Sequence, residues 1–158
     1  MYVFLGELKK HGCYCVCIDP DSNSTKHAIE NAHIDKAHTG TLNNFQSSNQ
    51  FHLITLNKVL EHVKDPLSIL IEAKRFLKRK GLIYVELPDG DDALKNGNFI
   101  EREEFYIEHF TIFNSVSIRN LADQADELGY FEFDLQGGEL LLRPDLLFET
   151  LEAIKPER

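Results

Sequence analysis

Apolar positions recur along the chain in two rhythms, one of strands and one of helices. From Phe51 to Asp89 the sequence reads FHLITLNKVLEHVKDPLSILIEAKRFLKRKGLIYVELPD. Phe51 to Leu56 is a short apolar run of the kind that makes a buried strand. A polar corner follows at Leu60-Glu61-His62-Val63. Pro66 to Leu77 repeats its apolar residues at helical spacing, and Lys78 to Gly81 supplies a basic stop. Leu82 to Leu87 is a second apolar run, closed by Pro88-Asp89. Strand, loop, helix and strand in that order build a parallel sheet. The polar residues fall just past the carboxyl ends of the strands, where ligands bind in open α/β sheets.

The flanks extend the alternation. Phe4 to His11 has the spacing of a helix closed by Gly12, and Cys13 to Ile18 that of a strand. Asp19-Pro20-Asp21-Ser22 is a turn able to cap a helix from Thr25 to Asn31. Ile34 to Ala37 is a short strand, and Thr39 to Gln50 a polar loop anchored by Leu42 and Phe45. Gly90 to Asn98 is read as a surface loop, with Asp89, Asp91 and Asp92 as loop charges. Ser115 is the expected N-cap of a helix from Val116 to Leu128. Gly137-Gly138 between Phe131–Leu135 and Glu139–Arg143 signals a hairpin, and Asp145 to Ile154 a short terminal helix. The expected fold class is α/β with a mostly parallel sheet, in one domain.

Composition narrows the functions. The chain has 158 residues, 42% hydrophobic and 27% charged, with a net charge of −9. That length supports one domain with a real core. The acidic balance argues against nucleic acid as a partner, because phosphate binding needs a basic face. The Lys74 to Lys80 cluster is expected to be the solvated end of a helix. No apolar run is long enough to span a bilayer and no secretory signal is visible, so the cytoplasm is the expected compartment. Cys13, Cys15 and Cys17 alternate with Tyr14, Val16 and Ile18. On a strand the three cysteines would share one face, and two apolar faces mark a buried parallel strand. Core packing is therefore preferred over a metal site, and no His, Cys or Asp cluster has zinc spacing.

The stretch "LEHV…DP…L.EA.R.LK..G…VE.PD" resembles class I S-adenosylmethionine-dependent methyltransferases of a bacterial small-molecule branch, from about Leu5 to about Leu142. The resemblance implies a Rossmann-like methyltransferase fold whose terminal hairpin is antiparallel. In that family the first strand ends in a glycine-rich turn, E/D-x-G-x-G-x-G. This chain carries no such stretch, and its opening residues match the helix that follows the turn. It is expected to be truncated before the glycine-rich motif, with the first strand missing. The strands on either side of that gap are expected to pair directly, to recruit Met1 to Leu5, or to form a homo-oligomer through their edges.

The same resemblance assigns residues. Asp19, at the end of its strand, would take the ribose hydroxyls of S-adenosylmethionine, although an aspartate in D-P-D also forms turns. Thr41 and Leu42 fall where the adenine is recognised, with Thr41 replacing the usual acid, and Asn57 follows the central strand. Tyr106-Ile107-Glu108-His109 with Phe110 and Phe113 resembles the "Y-x-E-H…F" segment of sugar C-methyltransferases. Tyr106, Glu108, His109 and His62 would then surround a small-molecule acceptor, a sugar or sugar nucleotide. Carbon methylation needs a proton removed beside a carbonyl, which a carboxylate-oriented histidine can do while a tyrosine steadies the enolate. Structural roles for His62, Tyr106 and Glu108 stay open. Without the glycine-rich turn, binding of S-adenosylmethionine is expected to be weak or absent. The alternative to an enzyme is a non-catalytic remnant or interaction module. A nucleotide-binding α/β domain of another kind is a third reading, with no phosphate loop to support it.

Overall fold

Among the described residues, each strand meets its partner through a helix that crosses back over it. The computed structural model describes residues 3–96, 108–127 and 129. The chain divides into two compact units, Met1–Ser48 and Asn49–Arg158. The hairpin and terminal helix expected beyond Phe131 lie outside the described residues.

The first unit runs α1 (Val3–Lys10), β1 (Val16–Asp19), α2 (Ser22–Glu30) and β2 (Lys36–Thr39). Phe4 and Leu8, one helical turn apart, are both buried. The helix α2 starts where the turn chemistry says it should, with Asp21 accepting from the N–H groups of Asn23 and Ser24. The strands are parallel and pair Val16 with Lys36 through Asp19 with Thr39. Thr25 Oγ1 and Thr39 Oγ1 share a hydrogen bond of 2.7 Å that ties α2 to β2.

The strand expected from Cys13 begins only at Val16. Before that point an aspartate side chain takes the place of a ladder partner: Cys15 N–H donates to Asp35 Oδ2 at 2.8 Å, while the Cys15 carbonyl accepts from Asp35 and Lys36 N–H. Cys15 and Cys17 are buried, whereas Tyr14 is 51% exposed, so the second apolar face is absent at that position. Burial, with Cys13 and Asp35 adding to it, pushes the Cys15 thiol up to about 11. A thiol held protonated packs as a small hydrophobe and is a poor metal ligand. The second strand is also displaced, from the expected Ile34–Ala37 to Lys36–Thr39, while Ile34 is buried ahead of it.

The second unit runs β3 (Phe51–Asn57), a 3-10 turn (Leu60–His62), α3 (Pro66–Arg75), β4 (Leu77–Glu86), α4 (Gly90–Asn96) and α5 (Ser115–Glu127). Asp65 caps α3 by accepting from Ser68 N–H, and Pro66 opens the helix where its missing N–H costs nothing. The parallel pairing of β3 and β4 carries Leu53 opposite Leu82 through Asn57 opposite Glu86. The expected basic stop at Lys78 to Gly81 is instead part of β4. Between the Phe51–Leu77 and Leu53–Leu82 pairs, β3 advances two residues and β4 five. The extra residues, Lys78 to Lys80, are exposed, and Lys80 adopts a φ of 65°. Gly81 closes this bulge in a space where a Cβ would lie 2.8 Å from Leu77 Cγ.

Two further expectations change. Gly90 to Asn96 is helical, because Asp89 Oδ1 accepts from the N–H groups of Asp91 and Asp92. Asp91 is likewise more than a loop charge, since its Oδ2 accepts from Ser115 N–H at 3.0 Å. The cap of α5 is Asn114, not Ser115: Asn114 Oδ1 accepts from Val116 N–H at 3.1 Å and Ser117 N–H at 2.8 Å. Replacing Asn114 with alanine is expected to cost about 0.5–2 kcal/mol. A urea midpoint unmoved by Asn114→Ala, and moved by Ser115→Ala, would return the cap to Ser115. The core of this unit gathers Leu56, Leu60, Leu70, Phe113 and Ala125.

Candidate active site

The exit from β3 sets the site. Asn57 ends the strand and its Nδ2 donates to Glu86 Oε2 at 2.8 Å. Lys58 then takes a φ of 52° and its N–H reaches the Glu86 carbonyl, which swings the chain off the sheet. The 3-10 turn that follows drives Leu60 into the core with no exposed surface. Glu61, next along, is carried inward with it and is only 1% exposed, while His62 faces outward.

A second segment is fastened to this turn through the main chain. Phe110 N–H donates to the Glu61 carbonyl at 2.7 Å, and Thr111 N–H reaches the same oxygen at 3.3 Å. Glu108, at a φ of 35°, turns the chain so that His109 meets His62, with ring centroids 4.6 Å apart at 69°. His62 Nδ1 lies 3.4 Å from the Glu108 carbonyl. A carbonyl only accepts, so this contact favours the tautomer with its proton on Nδ1 and its lone pair on Nε2. His62, Glu108, His109 and Phe110 line an open cleft of about 390 Å³. Lys64 Nζ sits 5.5 Å above the Phe110 ring.

Among the described residues, neither carboxylate oxygen of Glu61 has a hydrogen-bond partner. Burial pushes this carboxyl above its usual range, while His62, His109 and Lys58 pull the other way. One ligand atom from each of Glu61, His62 and His109 falls within 4.8 Å of the others. An unpaired buried carboxyl against two imidazoles is a group prepared for a proton or a cation.

The structure thus brings together His62, Glu108 and His109 from the sequence-predicted set, while Tyr106 lies outside the described residues. Asp19, Thr41 and Leu42 belong to the first unit. Asp19 is buried at the end of β1, its Oδ1 accepting from Asp21 N–H at 2.8 Å, and its carbonyl accepts from Gly40 N–H at 2.9 Å. Thr41 N–H is occupied by Asn44 Oδ1 at 3.0 Å, and Leu42 is half-buried. Asn57 is engaged by Glu86. Glu61 was legible only as part of a polar corner. The available signal was its place directly after a core leucine, in a turn too short to carry both residues to the surface.

A family model described as a methyltransferase domain matches residues 3–129. An uncharacterized protein of Methanocaldococcus jannaschii is 31% identical over 81 residues, which cover 51% of this chain. The match spans 38% of the length of that relative.

Proposed function

The chain belongs to the methyltransferase-domain family, and from that premise we propose that it uses S-adenosylmethionine to methylate a small molecule of the sugar or sugar-nucleotide class. The observation that carries this reading is the convergence of His62, Glu108 and His109 on one cleft. Two imidazoles and a carboxylate suit an acceptor that must give up a proton. His109 or His62 takes the proton next to the acceptor's carbonyl, and Glu108 stands on the same segment to balance the charge that results. Tyr106 joins them on the resemblance alone.

The residues present fit the nucleoside end of the cofactor. Asp19 is a carboxylate steadied by Asp21 N–H at the end of a parallel strand, beside the exit of β2 where Leu42 offers an apolar surface. When bound, the cofactor supplies a methyl group activated by a sulfonium centre. With Thr41 N–H already occupied, affinity is expected to be weak.

S-adenosylhomocysteine at millimolar concentration is expected to raise the thermal midpoint of the chain. Asp19→Ala should abolish most of that shift, because one charge-assisted hydrogen bond is worth about 1.5–3 kcal/mol. No shift in either protein would remove the cofactor from this chain and leave the non-catalytic interaction module as the better reading.

A further inference from the structure

We propose that Glu61, His62 and His109 form a binding site for one divalent first-row metal ion of the zinc class, with an open coordination position facing the cleft. The donor atoms already stand within 4.8 Å of one another. Bonds of about 2.0–2.2 Å to a common ion draw such ligands to roughly 3–4 Å. The remaining adjustment is about 1 Å, within the reach of small side-chain rotations.

Three observations make the cluster more than a coincidence of neighbours. First, Glu61 is buried and both of its oxygens lack a partner among the described residues, although buried polar atoms are nearly always paired. The methyl-transfer reading gives that carboxylate nothing to do, whereas a cation accounts for it. Second, His62 directs Nδ1 at the Glu108 carbonyl. A histidine that binds metal through one nitrogen usually donates the other N–H to such an acceptor, which fixes its ring. Third, the two main-chain bonds to the Glu61 carbonyl fasten the His109 segment to the turn that carries the other two donors. The geometry among the three ligands is therefore held by backbone.

The donor set selects the ion. Two imidazoles and one carboxylate are ligands for zinc and its first-row neighbours, and as three protein ligands they leave room for a fourth. Magnesium and calcium prefer oxygen ligands and more of them. Lys58 opposes a cation, but it is exposed and its charge is screened by solvent and salt. The role of the ion rests on the methyltransferase reading and changes its base: with both imidazoles engaged as ligands, the acceptor's carbonyl oxygen would replace water at the open position, and Glu108, outside the ligand set, would take the proton beside that carbonyl in their place. The site itself does not depend on that reading.

Cobalt(II) titration of the full chain, followed by the visible bands of the tetrahedral ion, tests the site. One saturable equivalent is expected, displaced by zinc. Glu61→Gln, His62→Ala and His109→Ala should each weaken binding by at least about tenfold, the lower end of what even outer-shell changes cost. The exposed His52 belongs to a different part of β3, so His52→Ala should titrate like the parent. If a buried change disturbs folding by circular dichroism, His62→Ala, at an exposed side chain, carries the test. Absent bands, or bands indifferent to all three substitutions, would overturn the site. Methyl transfer at full rate in chelator without cobalt binding would sink the metal and keep the methyltransferase. Cobalt binding by a protein that transfers no methyl group would do the reverse.

Discussion

Replacing His109 with alanine is expected to lower methyl transfer by about a hundredfold to ten-thousandfold, the range for loss of a positioned proton-transfer group. The expectation rests on how firmly this residue is presented. Phe110 N–H holds the segment to the Glu61 carbonyl at 2.7 Å, so His109 does not sample the cleft from a free loop. Its ring stands 4.6 Å from that of His62, and both line the same cleft with Glu108. Truncation leaves the main-chain bonds in place, so the fold should survive and the loss should fall on turnover. Free imidazole added to the alanine variant should restore part of the rate, which a purely structural histidine would not allow. A turnover within about threefold of the parent would assign His109 to packing and remove the main support for the acceptor cleft.

Leu60→Ala is expected to destabilise the protein by about 2–5 kcal/mol, as large-to-small changes in closed cores do. Leu60 has no exposed surface and packs with Leu56, Leu70, Phe113 and Ala125. These neighbours come from β3, α3, α5 and the segment leading into α5, so the space left by the lost methyl groups cannot be closed by moving one element. A domain of this size holds only about 5–15 kcal/mol in total. The loss should therefore appear as a large fall in the urea midpoint. Because Leu60 immediately precedes Glu61 and His62, activity should also fall at temperatures where the variant is still folded. A loss below about 1 kcal/mol would mean that the turn is held by its hydrogen bonds and not by this side chain.

The residues themselves disclosed the central unit well. The apolar run at β3, the opening of α3 at Pro66 and the second run in β4 each depend on neighbours within a few positions. The same locality makes Asp19 legible at a strand end and Asp21 as a cap. Local patterns failed where two local solutions compete. Ser115 and Asn114 are both good caps, and Asn114 prevails while Asp91, from α4, takes the Ser115 N–H. Lys78 to Lys80 looked like a helix end because cations suit that position. Pairing of Phe51 with Leu77 drew them into a bulged strand instead.

The sequence by itself determined the alternation of strands and helices, the methyltransferase resemblance and the identity of most candidate side chains, because periodicity, capping and motif spacing are properties of short stretches. Only the tertiary structure decided which of those side chains meet. His62 and Glu108 stand 46 residues apart, and nothing local to either specifies the other. Their approach follows from two N–H groups that must find an acceptor as the chain passes the turn, and the Glu61 carbonyl is the one they find. The burial of Glu61 has the same origin. Its charge marks it as a surface residue, but the packing of Leu60 and the segment fastened above it close the water out.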